Sequence, residues 1–329
     1  MKRVACSLML AVGLASSSAI AADMAVKAPP AAPAPAPSPW DIAITAALMT
    51  DYNFRGVTQS NHRPSTQAGF EGRYTFNPNW QIYAGVSGES IDFPNRAAAE
   101  IDFYGGVRPT IDKLALDFGV WEYYYPDGQC FNTAALCNAL GGGPAVAPAL
   151  PNGNVVVQNA SFTEVYGKAT LTLSDQWSTG VQEWYSPSVL NSGAQGWYTV
   201  GNLTFTAPST WLPNGLGMYV SGDVGYWALG TSNAFYGIPG TVFAAGVPYK
   251  SYWNWDAGVG FTYKAFTLDV RYYDTNLSKA DCNVFTSDHT ATFAPGNITP
   301  TNPGGLGSTW CSATVIAKLS FATNLSNIK

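Results

Sequence analysis

The chain carries two imidazoles, His62 and His289, both in polar, turn-rich stretches. A hydrolytic triad needs one of them beside an activated serine and an orienting carboxylate or amide. No Gly-x-Ser-x-Gly sequence occurs beyond residue 22, so a nucleophile elbow is not on offer. The cysteines are Cys6, Cys130, Cys137, Cys282 and Cys311, and none is spaced against a histidine as zinc ligands are. Past Cys6 the even count suits disulfides; proximity favours Cys130–Cys137 and Cys282–Cys311 over the two other connectivities. The densest mixed cluster is Asp51, Tyr52, Phe54 and Arg55. Arg55 is expected to pair with Asp51 and fold its segment inward. That arrangement would form a constriction or ligand contact, or simply anchor a loop, and the anchor is the more economical reading. No catalytic residue, metal site or cofactor is expected.

The composition explains why chemistry is scarce. Only 11% of the 329 residues are charged, against roughly 25% in ordinary soluble domains. Aromatics reach 14%, there are 33 glycines, and mean hydropathy is +0.00. The formal charge of −5 disfavours a nucleic-acid partner, which would select a basic face. Lys2 and Arg3, an apolar run from Val4 to Ala15, and Ala19-Ile20-Ala21 read as an export signal over 1–22. Its removal takes Cys6 and both early cations, and the charge moves from −5 to −7. Residues 23–39 form a proline- and alanine-rich linker of extended character. A single domain is expected over 40–321, with a short tail at 322–329.

That domain reads in steps of two. Phe70 and Gly72 alternate with Glu71 and Arg73; Ile82 and Val86 alternate with Gln81 and Tyr83. Ile101 and Phe103 alternate with Glu100 and Asp102, and Leu116 and Phe118 flank Asp117. Leu268 and Val270 alternate with Asp269 and Arg271. Period two with one apolar face predicts β-strands. Twelve segments are expected, near 40–50, 65–76, 80–90, 100–109, 114–125, 161–173, 176–186, 196–206, 216–228, 250–263, 266–276 and 309–321. Their connections alternate between short and long without exception. An antiparallel up-and-down barrel that crosses an outer membrane sorts its loops this way, with short periplasmic turns and long outer loops. Such strands need about 9–11 residues to cross a bilayer, and closure removes the unpaired edge that hydrocarbon forbids. Phe76, Trp80, Trp177, Phe205, Tyr263 and Phe266 fall beside short turns; Tyr185, Trp197, Tyr226, Trp253 and Tyr272 fall nearer the long loops, as two interfacial girdles would. A secreted β-sandwich or soluble barrel, with the aromatics in its core, is the alternative.

The polar faces then supply a lumen: Glu71, Glu100, Asp102, Asp117, Glu164, Asp223, Asp256 and Asp269, against Arg73, Arg108, Lys168, Arg271 and Lys318. Glycine at inward positions 69, 85, 106, 119, 258 and 260 suggests that part of the lumen stays open. Eight acids against five bases predict a mild cation preference.

Asp51, Tyr52, Phe54, Arg55, Gly56, Gln59, Ser60 and Pro64 resemble the opening motif of the TorF family of outer-membrane porins, a bacterial family defined largely from sequence. Further matches follow in order at 100–106, 123–126, 164–167, 185–187 and 274–277. The resemblance spans about 40–321 and implies a Gram-negative outer-membrane barrel. Its partners would be membrane lipid, the barrel insertion machinery and small solutes or ions. Asn276 departs from the pattern, where an acid is common, and the loops 126–160 and 277–308 look expanded. Phe321 would end the last strand, with eight residues after the terminal aromatic that barrels of this kind usually present. The function expected is passive diffusion of small solutes or ions. A plugged structural or surface-interaction barrel is the first alternative and a soluble binding protein the second.

Overall fold

The computed structural model describes residues 38–128, 152–155, 157–213 and 215–327. The expected export signal, nearly all of the linker and the Cys130–Cys137 pair lie outside the described residues. Twelve barrel strands run in chain order: β1 (Trp40–Met49), β2 (Ser65–Asn77), β3 (Trp80–Ser90), β4 (Ala99–Ile111), β5 (Leu114–Tyr124) and β6 (Phe162–Thr172). The second half is β7 (Trp177–Ser186), β8 (Gly196–Thr206), β9 (Leu216–Leu229), β10 (Tyr252–Tyr263), β11 (Phe266–Thr275) and β12 (Thr314–Asn324). Each pairs antiparallel with its chain neighbours, and β1 closes on β12 with Ala43 opposite Asn324 and Met49 opposite Lys318. The result is a closed twelve-strand up-and-down barrel. Closure gives every strand two partners and leaves no free edge.

Strand alternation sorts the side chains as the period-two reading expects. Phe70, Ile82, Phe103, Leu268 and Val315 stand 41–62% exposed on the outer face, while Leu116 on the same face is half-buried. The outward aromatics pair across neighbouring strands: Trp177 with Phe205 (5.0 Å between centroids), Tyr185 with Trp197 (4.4 Å), Tyr226 with Trp253 (4.8 Å). The core is therefore the barrel interior. All thirteen charged positions expected in the lumen occupy the inward register.

Two expectations change. The last strand begins five residues later than 309 and continues to Asn324, so Phe321 is an interior strand residue opposite Phe266 rather than its end. Inward glycines do not leave open space: the rings of Tyr104, Tyr166 and Tyr219 lie over Gly85, Gly119 and Gly260, their direct cross-strand partners. A missing side chain on one strand is the room that a tyrosine on the next one needs. The long loops are also structured. A two-residue ladder joins Asn53–Phe54 to Val57–Thr58, and helix α1 (Lys279–Thr286) is capped by Ser278, whose hydroxyl accepts from the Asp281 amide at 3.0 Å.

Candidate functional site

The connection from β1 to β2 folds into the barrel mouth because of its own turn chemistry. Arg55 and Gly56 have φ of 52° and 83°, the two left-handed residues of a type I′ hairpin turn. A β-carbon on Gly56 would come within 3.0 Å of Asn254 Cβ, so only glycine lets the hairpin tip press against the wall. The tip carries the Arg55 guanidinium to Glu164 on β6, across 109 residues of sequence. The contact is bidentate, Nη1 to Oε1 at 2.8 Å and Nη2 to Oε2 at 2.6 Å. Both side chains are buried, at 5% and 0% exposure. Tyr123 also donates to Glu164, at 3.1 Å, and Tyr252 donates to the Arg55 carbonyl at 3.0 Å. Phe54, Tyr198 and Trp227 present their rings 4.4–4.5 Å from the guanidinium carbon. Burial alone would lower the Arg55 pKa; the Glu164 carboxylate outweighs it and the pKa is raised.

Arg55 therefore does not pair with Asp51, as its spacing suggested. Arg55 is at the hairpin tip, four residues beyond Asp51, and Asp51 at the base turns to its own loop. It accepts from Thr58 and Ser60 at 2.5 and 2.9 Å and meets His62 Nδ1 at 2.9 Å. The Asp51 hydrogen bond raises the His62 pKa against the opposing effect of partial burial, helped by the Thr309 carbonyl at 3.1 Å. Tyr52 donates to Glu100 at 2.6 Å. Its pKa is raised far above the usual phenol by burial first and then by the carboxylates of Glu100, Asp102 and Glu89. The cluster holds the first loop to the wall through Arg55 and Tyr52 and closes it on itself through Asp51.

The last long loop covers the first. Cys282 in α1 is bonded to Cys311 (Cα–Cα 6.0 Å), the second of the expected pairs. Phe285 of α1 packs edge-on to Trp227 and Tyr249, and the Trp310 carbonyl accepts from the Thr58 amide at 2.9 Å. Trp310 donates its indole N–H to Asn61 at 3.0 Å. Among the described residues the mouth at the long-loop end is thus filled by aromatic packing around the buried Arg55–Glu164 pair.

Deeper in the lumen two charged groups form. Arg108 grips Glu71 at 2.7 and 3.0 Å and reaches Asp117 at 3.1 Å, while Arg73 meets Glu71 at 2.5 Å. Lys168 lies 4.4 Å from the Tyr166 ring centre and 4.6 Å from that of Trp184. On the other side Arg271 joins Asp256 at 2.5 Å and Asp269 at 3.2 Å, with Asp223 at 4.0 Å. Lys318 donates to Gln67 at 2.9 Å. A cavity of about 370 Å³ at the short-turn end is lined by Asn79, Gln81, Arg108, Asp117, Lys168 and Thr170. Glu100, Asp102 and Glu164 face inward too, but they are at most 3% exposed and lie under the outer loops, not along a water-filled wall.

Two features were missed in the sequence. Glu89 shares the inward register of Gln81 and Tyr83, and extending that alternation by three more steps would have found it. Tyr83 and Tyr104 stand on the polar face of the period-two reading, but the inward aromatics Trp121, Tyr166, Trp184 and Tyr198 were missed because that reading gives aromatic residues to the outer girdles.

Fold and interior together define a closed twelve-strand β-barrel with an apolar outer face, a charged lumen and a plugged mouth. A bacterial family described as being of unknown function, Gcw_chp, matches residues 33–142, a third of the chain, under that description and not the TorF name. No curated protein matches. Among solved structures the chain is similar to the NanC porin (6% identity, 86% of this chain and 98% of that one, TM-score 0.40). It is also similar to an outer-membrane channel from Pseudomonas putida F1 (7%, 88% and 97%, 0.40) and to LpxR from Salmonella typhimurium (9%, 85% and 99%, 0.35).

Proposed function

We propose that the protein is an outer-membrane channel of a Gram-negative bacterium, passing small solutes or ions without a chemical step, with its outer mouth set by the Arg55 hairpin. The observation that carries the reading is the sorting of the sheet. Apolar side chains stand exposed on the outside, where lipid would cover them, and every charged strand position of the proposed lumen points inward. A water-soluble barrel would gain nothing from exposing Phe70, Phe103 and Val315. The charged lumen and the cavity at the short-turn end support a polar path. The ten expected lumen charges below the plug balance, five acidic and five basic: Glu71, Asp117, Asp223, Asp256 and Asp269 against Arg73, Arg108, Lys168, Arg271 and Lys318; Asp41, opposite Arg73 in β1, adds one acid at the short-turn rim. The proposed cation preference is therefore mild and rests on how these charges are placed.

The packed aromatic mouth favours a second reading, a sealed structural or surface-interaction barrel. Planar-bilayer recordings of the purified protein and of Arg55→Ala separate the two. Conductance in the unaltered protein, increased by the substitution, supports the channel. Silence in both would leave the sealed barrel. Heat-modifiable migration on detergent gels tests the membrane barrel itself, and a detergent-free soluble monomer would reject it.

A further inference from the structure

We propose that Glu89, Glu100 and Asp102 form a binding site for one divalent cation of the oxygen-preferring, calcium-like class, set in the barrel wall beneath the first outer loop. Glu89 on β3 lies directly opposite Glu100 on β4, and Ser87 opposite Asp102. Like charges facing each other across a ladder destabilise it, and here a third carboxylate sits on the same inward face. The three side chains are 3%, 2% and 3% exposed. One carboxylate oxygen from each lies within 4.8 Å of the other two. None of the three makes an ion pair among the described residues, whereas Glu71, Asp117, Asp256, Asp269 and Glu164 each meet an arginine.

The hydrogen bonds around the trio stop short of satisfying it. Gln67 donates to Glu89 Oε1 at 2.7 Å, Tyr52 donates to Glu100 Oε1 at 2.6 Å, and Ser87 reaches Asp102 Oδ2 at 3.4 Å. The Tyr125 hydroxyl also approaches Glu100 and the Trp121 indole faces Asp102, yet Glu89 Oε2 and Asp102 Oδ1 are buried without a well-formed hydrogen bond, and so is the Trp121 N–H. A buried carboxylate oxygen without a donor carries a heavy desolvation cost. Carboxyl groups sharing a proton would occupy those oxygens in a hydrogen bond, and these two are in none. A cation meets both needs. With calcium–oxygen bonds of about 2.4 Å, two ligand oxygens lie roughly 3.4 Å apart when adjacent and 4.8 Å when opposite. The Tyr52 hydroxyl, fixed on Glu100, would roof the site and couple it to the loop that carries Arg55.

The test uses the full chain refolded in detergent and stripped with chelator, with terbium(III) as the probe and calcium as its competitor. Tyr52 and Trp121 stand close enough to sensitise terbium emission. The expected result is saturable emission at one ion per chain, competed away by calcium. The double variant Glu89→Gln/Asp102→Asn should weaken it at least tenfold. Calcium should also raise the thermal unfolding midpoint of the unaltered protein and leave that of the double variant unmoved. The single variant Asp175→Asn, in an exposed short turn far from the trio, should bind as the unaltered protein does. No saturable emission, or equal affinity in the double variant, would overturn the site. So would a double variant that is stabilised while the unaltered protein ignores calcium, because the trio would then hold protons. None of these readouts depends on whether the barrel conducts.

Discussion

Arg55 takes a full charge into a space walled by Phe54, Tyr198 and Trp227, and Glu164 is the group that makes this tolerable. Removing one partner of such a pair leaves the other buried and uncompensated, at a cost of about 3–5 kcal/mol. Arg55→Ala and Glu164→Gln should therefore each destabilise the mouth, and the double substitution should cost less than the two losses added together. Thermal or denaturant melts of the four proteins complete that cycle, and strict additivity would mean that the pair does not act as a unit. His62 gives the same loop a pH dependence. Its pKa is raised in the folded protein by Asp51, with Asp288 and the Thr309 carbonyl also favouring the cation. Protonation thus stabilises the folded loop. The contribution is fully present below the unfolded value of about 6.5 and disappears as pH climbs through the raised folded value. Protease cleavage within 50–64 should accelerate as pH rises across that window, and His62→Gln should flatten the profile. A loop that became more protected with rising pH would contradict the assignment.

Among the elements, strand register is the property that decides everything else, because a slip of one residue exchanges the two faces. Phe70 and Gln67 on β2 test it directly, since one points outward and the other toward Glu89. If lipid covers the outer face, Phe70→Arg should cost about 2–4 kcal/mol in folding into vesicles, and Gln67→Arg appreciably less. Equal losses would place the two side chains in similar surroundings. The disulfide of the last loop belongs to this scale as well. Cys282 and Cys311 are 29 residues apart, and closing a loop of that size is worth about 3–4 kcal/mol in the chain-entropy account. Reduction should loosen α1 and expose the Trp310 indole to quenchers while the barrel strands keep their hydrogen-exchange protection. Strands and faces were legible in the sequence because a sheet with two unlike surroundings must alternate. The mouth was not. Arg55 finds Glu164 through a turn whose two positive φ values depend on Gly56, and no local spacing encodes a partner 109 residues away. The glycine–tyrosine pairs failed for a related reason: an empty inward position is filled from the neighbouring strand, and its own segment is silent about that. The start of β12 was misplaced because residues 309–313 turn over the hairpin at the mouth before the strand begins.

Taken around the whole barrel, the lumen charges are balanced in number and uneven in place. Glu71 and Asp117 face Arg73, Arg108 and Lys168 across β2–β6, one positive charge in excess. Asp223, Asp256 and Asp269 share Arg271 across β9–β11, with Lys318 of β12 opposite Asp269, which leaves one negative charge in excess. The centres of these groups are six strands apart in a ring of twelve, so they lie on facing walls. Low-dielectric walls let such an arrangement hold a field across the path. Within it, three charges are the least neutralised. Asp223 is 4.0 Å from Arg271 with 35% of its side chain exposed, Lys168 rests on aromatic rings and Lys318 holds the Gln67 amide, neither lysine with a carboxylate at ion-pair distance among the described residues. Cations should pass along the acidic wall and anions along the basic one, with the exposed Asp223 against the ring-packed Lys168 giving a small net preference for cations. Asp223→Asn should reduce that preference and Lys168→Gln should increase it. Both effects should fade as salt rises and the Debye length falls from about 30 Å at 0.01 M to about 3 Å at 1 M. Reversal potentials across a salt gradient measure all three proteins. Anion selectivity in the unaltered protein, or shifts of the same sign in both variants, would show that the two walls do not act as separate paths.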